Sequence, residues 1–453
     1  MSEGRKSVHG EWSSRGVFVL AATGSAVGLG NIWKFPYITG ENGGGAFVLV
    51  YLLCIACIGV PIMMAEVLIG RRGRQSPINT MLALAREARH SRHWRYLGWA
   101  GVVAGFLILS YYSVIAGWVL SYVMNTASGT FTGASADEVE AVFNDLLASP
   151  GTLLFWHTLF MVMTVAVVAR GVRRGLEQAV RFLMPSLFIL LLVMVGYALS
   201  TGYFVLGLEF LFNPDFSKLS GDSVLVAMGH AFFTLSLGMG AIMIYGSYMP
   251  EKVSIARTTF MIAGADTLVA LLAGMAIFPL VFANGLEPGA GPGLIFVTLP
   301  IAFGQMPGGT FFGTLFFILV VFAAWTSSIS LVEPAITWLV ESRGFTRGKA
   351  AVGVGVVTWF MGIGTVLSFN LWSDYTLFDK TFFDLIDYLA ANIMLPLGGL
   401  FIALFAGWVM AKKDSQDELQ MDDTFSYRLW RFLIRYVTPL GVIVVFLRAI
   451  GVI

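Results

Sequence analysis

Charge is what this chain has least of. Only 12% of its 453 residues are Asp, Glu, Lys or Arg, and the two signs nearly cancel at a net +1. An ordinary soluble domain carries about 25%. So small a net charge gives no basic surface for nucleic acid and none that would draw an acidic partner. Cysteine is almost missing too: Cys54 and Cys57 lie three apart in an apolar run. A Cys-x-x-Cys without βα surroundings is a weak redox or metal signal, so both read as small buried hydrophobes. There is no His/Cys cluster for a transition metal, no glycine loop for phosphate, and no nucleophile with an adjacent base; an enzyme is not expected. Residues 1–15 are polar and the apolar segment after them runs on without a small-residue cleavage site, so no cleavable signal peptide is expected.

Apolar side chains fill the space that charge leaves. They make up 57% of the chain, with 37 Phe and 12 Trp, and the mean hydropathy is +0.79. A helix needs about 20 apolar residues to cross a bilayer. Eleven segments qualify, near 16–40, 45–70, 96–125, 152–169, 180–200, 223–249, 256–283, 310–341, 350–369, 385–411 and 432–452. Short loops join most of them, which predicts one transmembrane domain over 1–453 with residues 1–15 as a tail. Arg71, Arg72, Arg74, Arg86, Arg89, Arg92 and Arg95 follow the second segment, and Arg170, Arg173, Arg174 and Arg181 follow the fourth. Residues 125–152 carry only acids: Asp137, Glu138, Glu140 and Asp145. By the bias of basic loops toward the cytoplasm, the N-terminus is cytoplasmic and, after an odd number of crossings, the C-terminus is outside, in a cell inner membrane.

Two of these segments read badly as continuous helix. Residues 24–36, Gly-Ser-Ala-Val-Gly-Leu-Gly-Asn-Ile-Trp-Lys-Phe-Pro, hold three glycines that cost about 1 kcal/mol each against Ala, and then Pro36. Residues 233–241, Phe-Thr-Leu-Ser-Leu-Gly-Met-Gly-Ala, repeat the pattern five segments later. Backbone freed from helical bonding inside a membrane must line a cavity or bind something, and paired interruptions in opposed halves mark a carrier built from inverted repeats. A half-helix that ends at mid-depth offers carbonyls to a cation; one that begins there offers N–H groups to a carboxylate. Asn31, Thr234, Ser236, Thr326 and Ser327 add the oxygen that a hard cation wants. Intramembrane acids point to function by default: Asp266 most, then Glu66, with Glu333 beside Pro334 favoured as structural. His157 and His230 read as packed and hydrogen-bonded.

The first of these motifs, followed by Glu41-Asn-Gly-Gly-Gly-Ala-Phe47, Pro61, Glu66 and Gly70, then Phe232-Phe-Thr-Leu-Ser-Leu-Gly238 and Thr326-Ser-Ser328, resembles the neurotransmitter:sodium symporters in their bacterial amino-acid branch. The resemblance spans almost the whole chain. It implies an all-α integral membrane fold of two inverted five-helix repeats, 16–200 and 223–411, with broken first and sixth helices, plus an eleventh helix at 432–452 and no twelfth. It implies one sodium at the Ala26 carbonyl, Asn31, Thr234 and Asp266. A second would lie at the Gly24, Val27 and Ala323 carbonyls with the Thr326 and Ser327 hydroxyls. The substrate carboxylate would meet the Leu29 and Gly30 amides and Tyr112. The ammonium would meet carbonyls of Ala26 and Phe233 and the Ser236 region, near Ser25 and Thr234. Ile108, Phe233, Met239, Ser327 and Leu331 would line the side-chain pocket.

Departures from the family pattern carry information as well. Amine carriers place an Asp at Gly28; without it, a substrate must bring its own carboxylate. Chloride-dependent relatives have neutral groups at Asp266 and Ala270 and a Gln at His230, so a fixed Asp266 predicts chloride independence, with proton countertransport on Asp266 as a further hypothesis. An outer gate would pair Lys34 with Asp387 over Tyr112 and Phe233, where Lys lacks the fork of the usual Arg. An inner gate would centre on Glu341 with Trp12, Ser247 and Tyr248, its basic partner being His9, Arg5 or Lys6. The expected activity is sodium-coupled uptake of a neutral, hydrophobic amino acid by alternating access, with Na+, the amino acid and the bilayer as partners and no organic cofactor. A proton-driven carrier and a non-translocating amino-acid sensor are the alternatives. The particular amino acid and the oligomeric state are not legible.

Overall fold

The structure is a computed structural model that describes residues 7–288, 293–449 and 452. Among these residues the regular secondary structure is all helical, apart from one isolated bridge between Leu377 and Lys380. The helix α1 is the pair Arg15–Ala26 and Gly30–Glu41, bent by 53° at the break. Then follow α2 (Gly45–Gly73), α3 (Arg92–Ala127), α4 (Pro150–Val168) and α5 (Val172–Leu199). The interrupted α6 comprises Gly221–Thr234 and Ala241–Ser247. The series closes with α7 (Ile255–Ala283), α8 (Gly309–Arg343), α9 (Arg347–Ser368), α10 (Phe382–Val409) and α11 (Phe425–Arg448). Both expected interruptions are present, five segments apart.

The differences from the sequence reading have local causes. The eleventh segment begins at Phe425, well before residue 432, because Arg428, Arg431 and Arg435 interrupt its apolar run without interrupting its helix; its expected end near 452 falls partly outside the described residues. The fifth begins at Val172, a wide turn leading straight into Glu177–Leu199. Short helices also occupy several connections: Pro77–Glu87, Ala136–Ala148, Phe204–Phe212, Leu299–Gln305 and Lys412–Leu419. Ala136–Ala148 lies in the acidic loop, where Ser135 and Glu138 cap each other reciprocally.

Prolines account for most of the widened turns. Gly30–Lys34, Ile55–Gly59, Leu294–Thr298, Tyr388–Met394 and Leu433–Val437 each end two residues before a proline, at Pro36, Pro61, Pro300, Pro396 and Pro439. A proline ring clashes with the carbonyl four residues earlier and cannot donate to it. Shifting the bonding by one residue moves that carbonyl clear, so the helix widens where it would otherwise break.

The two interrupted helices sit in the interior. Around them α3 and α8 have 83% and 78% of their most apolar stretch inside the protein, whereas the peripheral α4, α5 and α11 have 39%, 39% and 33%. Close backbone approach fixes the second half of α6 against α2. A Cβ at Gly246 would meet the Val67 backbone at 2.8 Å, and one at Gly70 would overlap the Met243 carbonyl. Small residues at such crossings are what allow membrane helices to pack in depth. Gly246→Val should therefore destabilise the protein by about 1–3 kcal/mol, read as a lower midpoint of thermal unfolding in detergent; an unchanged midpoint would contradict the packing described.

Candidate functional site

At the break in α1, Val27 turns extended (φ −67°, ψ 110°) and the helix does not resume until Gly30. The freed backbone groups find partners from three other helices. Asn31 Oδ1 accepts from the Gly28 amide at 3.0 Å, and the Tyr112 hydroxyl of α3 accepts from the Leu29 amide at 3.3 Å. From α8, the Ser327 hydroxyl reaches the carbonyls of Ser25 (3.3 Å), Val27 (3.2 Å) and Gly24 (3.5 Å). From α6, Ser236 donates to the Ser25 carbonyl at 2.8 Å. Ser236 itself has φ +54°, and Gly238 and Gly240 have φ +80° and +75°, so the α6 break is a left-handed turn held by its two glycines.

Two oxygen-rich groups result. In the first, Asp266 of α7 accepts from Asn31 Nδ2 at 2.8 Å and from the Thr234 hydroxyl at 3.1 and 3.2 Å. All three residues are fully buried, and both donors to the carboxylate are neutral. In the second, the Gly24 and Val27 carbonyls face Ser327, and the neighbouring Thr326 hydroxyl bonds the Ala323 carbonyl at 3.0 Å. Such collections of carbonyl, hydroxyl and carboxylate oxygen are the donor set of a hard, compact cation.

Between these groups lies a cavity of about 30 Å³, lined by Ser25, Ala26, Gly28, Leu29, Gly30, Ile108, Tyr112, Phe233, Ser236, Met239, Ser327 and Leu331. Its wall combines the hydroxyl residues Ser25, Tyr112, Ser236 and Ser327 with apolar residues and holds no charged side chain. Thr234 was expected on this wall but turns to Asp266 instead. Gly28 joins the wall for a steric reason as well as for its lack of charge: a Cβ there would meet Ser327 Oγ at 2.5 Å and Tyr112 Oη at 3.0 Å.

The other two intramembrane acids have different settings. Glu66 accepts from the Gly238 amide at 2.7 Å and so satisfies the backbone of the α6 turn. Glu333 is held by the Tyr248 hydroxyl at 2.7 Å and by Arg347 at 2.5 Å. His157 contacts the Trp359 carbonyl at 3.3 Å. His230 is packed against Phe35 and Tyr51, but neither ring nitrogen has a hydrogen-bond partner, contrary to the expectation of a bonded ring.

The outer gate is not arranged as the sequence suggests, whereas at the inner one Glu341 meets His9, one of its expected basic partners. No ion pair joins Lys34 to Asp387; the Lys34 ammonium lies over the Phe233 ring, 4.9 Å from its centroid. Phe233 lines the central cavity and also a vestibule of about 450 Å³ that holds Lys34, Glu41 and His230, so its ring stands between the two spaces. At the opposite face, Glu341 does not bond Trp12, Ser247 or Tyr248. It meets His9 Nε2 at 3.1 Å, the Ser76 amide at 2.9 Å and Asn79 Nδ2 at 2.8 Å. Arg5 and Lys6, the other candidate partners, lie outside the described residues. Trp12 seals this face on its own account: its amide bonds the Tyr248 carbonyl at 3.0 Å, its indole N–H the Tyr245 carbonyl at 3.2 Å, and both rings pack edge-on against it. The Ser247 hydroxyl bonds the Ile244 carbonyl of its own helix, and Tyr248 serves Glu333.

Ser76, Asn79, Arg74 and Arg347 were not singled out from sequence. Arg74 is buried, in left-handed backbone (φ 58°), and donates to the carbonyls of Met249 (2.7 Å) and Ser247 (3.3 Å) and to Glu11 (3.0 Å). It was visible only as one of many loop arginines.

The sequence model described as the sodium:neurotransmitter symporter family matches residues 9–139 and 136–453. The chain belongs to this family. It is 40% identical over 445 residues to an uncharacterized sodium-dependent transporter of Bacillus subtilis (strain 168), covering 98% of each chain. It is 26% identical over 483 residues to the sodium- and chloride-dependent taurine transporter of Bos taurus, covering 94% of this chain and 75% of that one. Among solved structures, the crystal structure of MhsT in complex with L-phenylalanine matches with a TM-score of 0.90 and 44% identity, covering 98% of this chain and all of that one. The symporter is thus a sodium-dependent transporter and not an enzyme.

The geometry of the inner seal makes a direct prediction for this symporter. Trp12→Ala removes the ring that fills the space between Tyr245 and Tyr248. A cysteine placed at the buried Ser247 should then react faster with a membrane-impermeant maleimide, against the low background of Cys54 and Cys57. Equal labelling rates with and without Trp12 would show that the seal lies elsewhere.

Proposed function

We propose that this symporter takes up a neutral, hydrophobic amino acid with sodium and without chloride, by alternating access across the inner membrane, its N-terminal tail in the cytoplasm. The observation that carries the reading is Asp266: a buried carboxylate whose bonded neighbours, Asn31 and Thr234, are both neutral. A charge so placed is costly unless a cation joins it. Asn31 and Thr234 stand ready to add oxygen, as does the Ala26 carbonyl on the cavity wall. The Gly24, Val27 and Ala323 carbonyls with Thr326 and Ser327 suit a second sodium.

The substrate's carboxylate would lie at the Leu29 and Gly30 amides with the Tyr112 hydroxyl, where α1 resumes and its free N–H groups are presented. Its ammonium would face the carbonyl end of the first half of α1. Ile108, Phe233, Met239 and Leu331 leave an apolar, uncharged place for the side chain, in keeping with the L-phenylalanine of the MhsT complex. The cavity of about 30 Å³ is small, so a bulky side chain has to widen it. The turn at Gly238 and Gly240 is the backbone best able to yield. Closing of Phe233 and Lys34 over the loaded site, and withdrawal of Trp12 and His9 from the opposite face, would complete the cycle, with the two halves of the fold as inverted repeats.

Because Asp266 supplies a fixed negative charge next to the first sodium, an added chloride would be repelled. In proteoliposomes, uptake of labelled L-phenylalanine or L-leucine should require an inwardly directed sodium gradient and stay unchanged when gluconate replaces chloride. Sodium-independent uptake, or a loss in proportion to chloride removed, would overturn the reading. Asp266→Asn should weaken the sodium dependence of uptake by about tenfold or more, since it removes a charge in direct contact with the ion, and should introduce a stimulation by chloride.

A further inference from the structure

The start of α11 has a feature that central transport does not use. Arg428, Arg431 and Arg435 recur three and four residues apart and so share one helix face. With Lys412, Tyr427 and Tyr436 they line a cavity of about 280 Å³. Lys412 pairs with Asp423 at 3.0 Å, but none of the three arginines forms an ion pair with a carboxylate among the described residues. Arg431 donates to the Ser415 hydroxyl at 3.2 Å and to the Tyr427 hydroxyl at 3.0 Å, both neutral. Arg435 lies over the Trp408 ring at 4.3 Å, and its Nε is buried without a hydrogen-bond partner.

We infer that this pocket binds the phosphate of an anionic phospholipid. Three unneutralised guanidiniums on one helix face form a fork-like donor set that suits phosphate better than a point cation does. The flank identifies the source of that phosphate. Leu429, Phe432, Tyr436 and Trp408 are exposed on the same stretch, an aromatic and apolar surface of the kind that meets lipid at the membrane boundary. Arg435 lies well inside a span apolar enough to cross the bilayer, at a depth that a lipid headgroup reaches from the side and a free anion reaches poorly.

The pocket also opens on the face where anionic lipid is expected. The helix Lys412–Leu419 beside it is pinned to the end of α2 by Arg71 bonding Glu418, and Gln420 donates to the Glu251 carbonyl at 2.8 Å. That is the face that carries the docked N-terminal tail, where Arg74 meets Glu11 and Ser13 meets Glu177. Basic pockets between helices at a cytoplasmic boundary are the expected place for such headgroups.

The test is native mass spectrometry of the purified full chain after addition of phosphatidylglycerol or phosphatidylcholine. Wild type should retain phosphatidylglycerol at energies that strip phosphatidylcholine, and Arg428→Gln/Arg435→Gln should reduce the retained fraction by about tenfold or more. Arg428→Lys/Arg435→Lys should keep most of it. Equal retention by the Gln variant, equal retention of the two lipids, or displacement of the lipid by inorganic phosphate at matched concentration would each overturn the proposal. Should the Gln variant fail to fold, wild type alone decides: phosphatidylglycerol should raise its unfolding midpoint in micelles, phosphatidylcholine should not, and high salt should erase the difference. A midpoint indifferent to headgroup charge would overturn it. Sodium-dependent amino-acid binding should persist in the Gln variant, because none of these residues lines the central cavity, so this outcome is separate from that of the transport reading.

Discussion

Inside a bilayer a broken helix has no water to turn to, and the unpaired backbone at residues 27–30 is the constraint on which the rest of the structure depends. Several of the freed groups are met by side chains from other helices or from just beyond the break: Asn31 and Tyr112 take the Gly28 and Leu29 amides, while Ser236 and Ser327 donate to the Ser25 and Val27 carbonyls. Those side chains in turn fix where α3, α6 and α8 must lie. The α6 break is answered in the same manner by Glu66, which reaches from α2 to the Gly238 amide. Helix packing then follows from polar satisfaction, since apolar contact alone distinguishes poorly between a neighbouring helix and lipid.

The acids divide the work. Glu333 has Arg347 and Tyr248, so its charge is balanced within the protein. Glu66 faces a backbone amide at a turn just ahead of the helix Ala241–Ser247, where the peptide dipoles favour negative charge. Asp266 has neither a cation nor a helix start, only an amide nitrogen and a hydroxyl. On the proposed reading, the ion that completes this site is not a resident group but the cargo itself. The energetic discomfort of the carboxylate between cycles is then the source of coupling.

The sequence exposed the interruptions because glycine, proline and polar residues in an apolar run conflict with every ordinary helix, and the conflict is local. The cavity wall was legible through the family resemblance, since Ile108, Tyr112, Met239 and Leu331 lie outside the motifs that carry it. Of the partners of Glu341 the sequence offered His9 but not Ser76 or Asn79, which are more than 250 residues away with no local pattern to link them. The start of α11 was hidden for the opposite reason. A hydropathy reading treats arginine as the end of a span, whereas Arg431 and Arg435 continue the helix by lying along its flank against Tyr427 and Trp408.

The two faces of the central site are closed by unequal means. Toward the N-terminal tail, Trp12 is buried and bonded through both its nitrogens, Glu341 gathers three donors, and Arg74 ties Glu11 to the end of α6. On the other side Phe233 stands between cavity and vestibule, with the Lys34 ammonium resting on it rather than locked to Asp387. Opening the first face requires many bonds to break together, while opening the second requires one ring and one flexible side chain to turn. On the proposed reading, the conformation described is therefore the one that opens more readily toward the vestibule. On the same reading, the energy to undo the larger seal during inward movement comes from completing the site, where Asp266 and the broken backbone of α1 would gain a cation and a carboxylate.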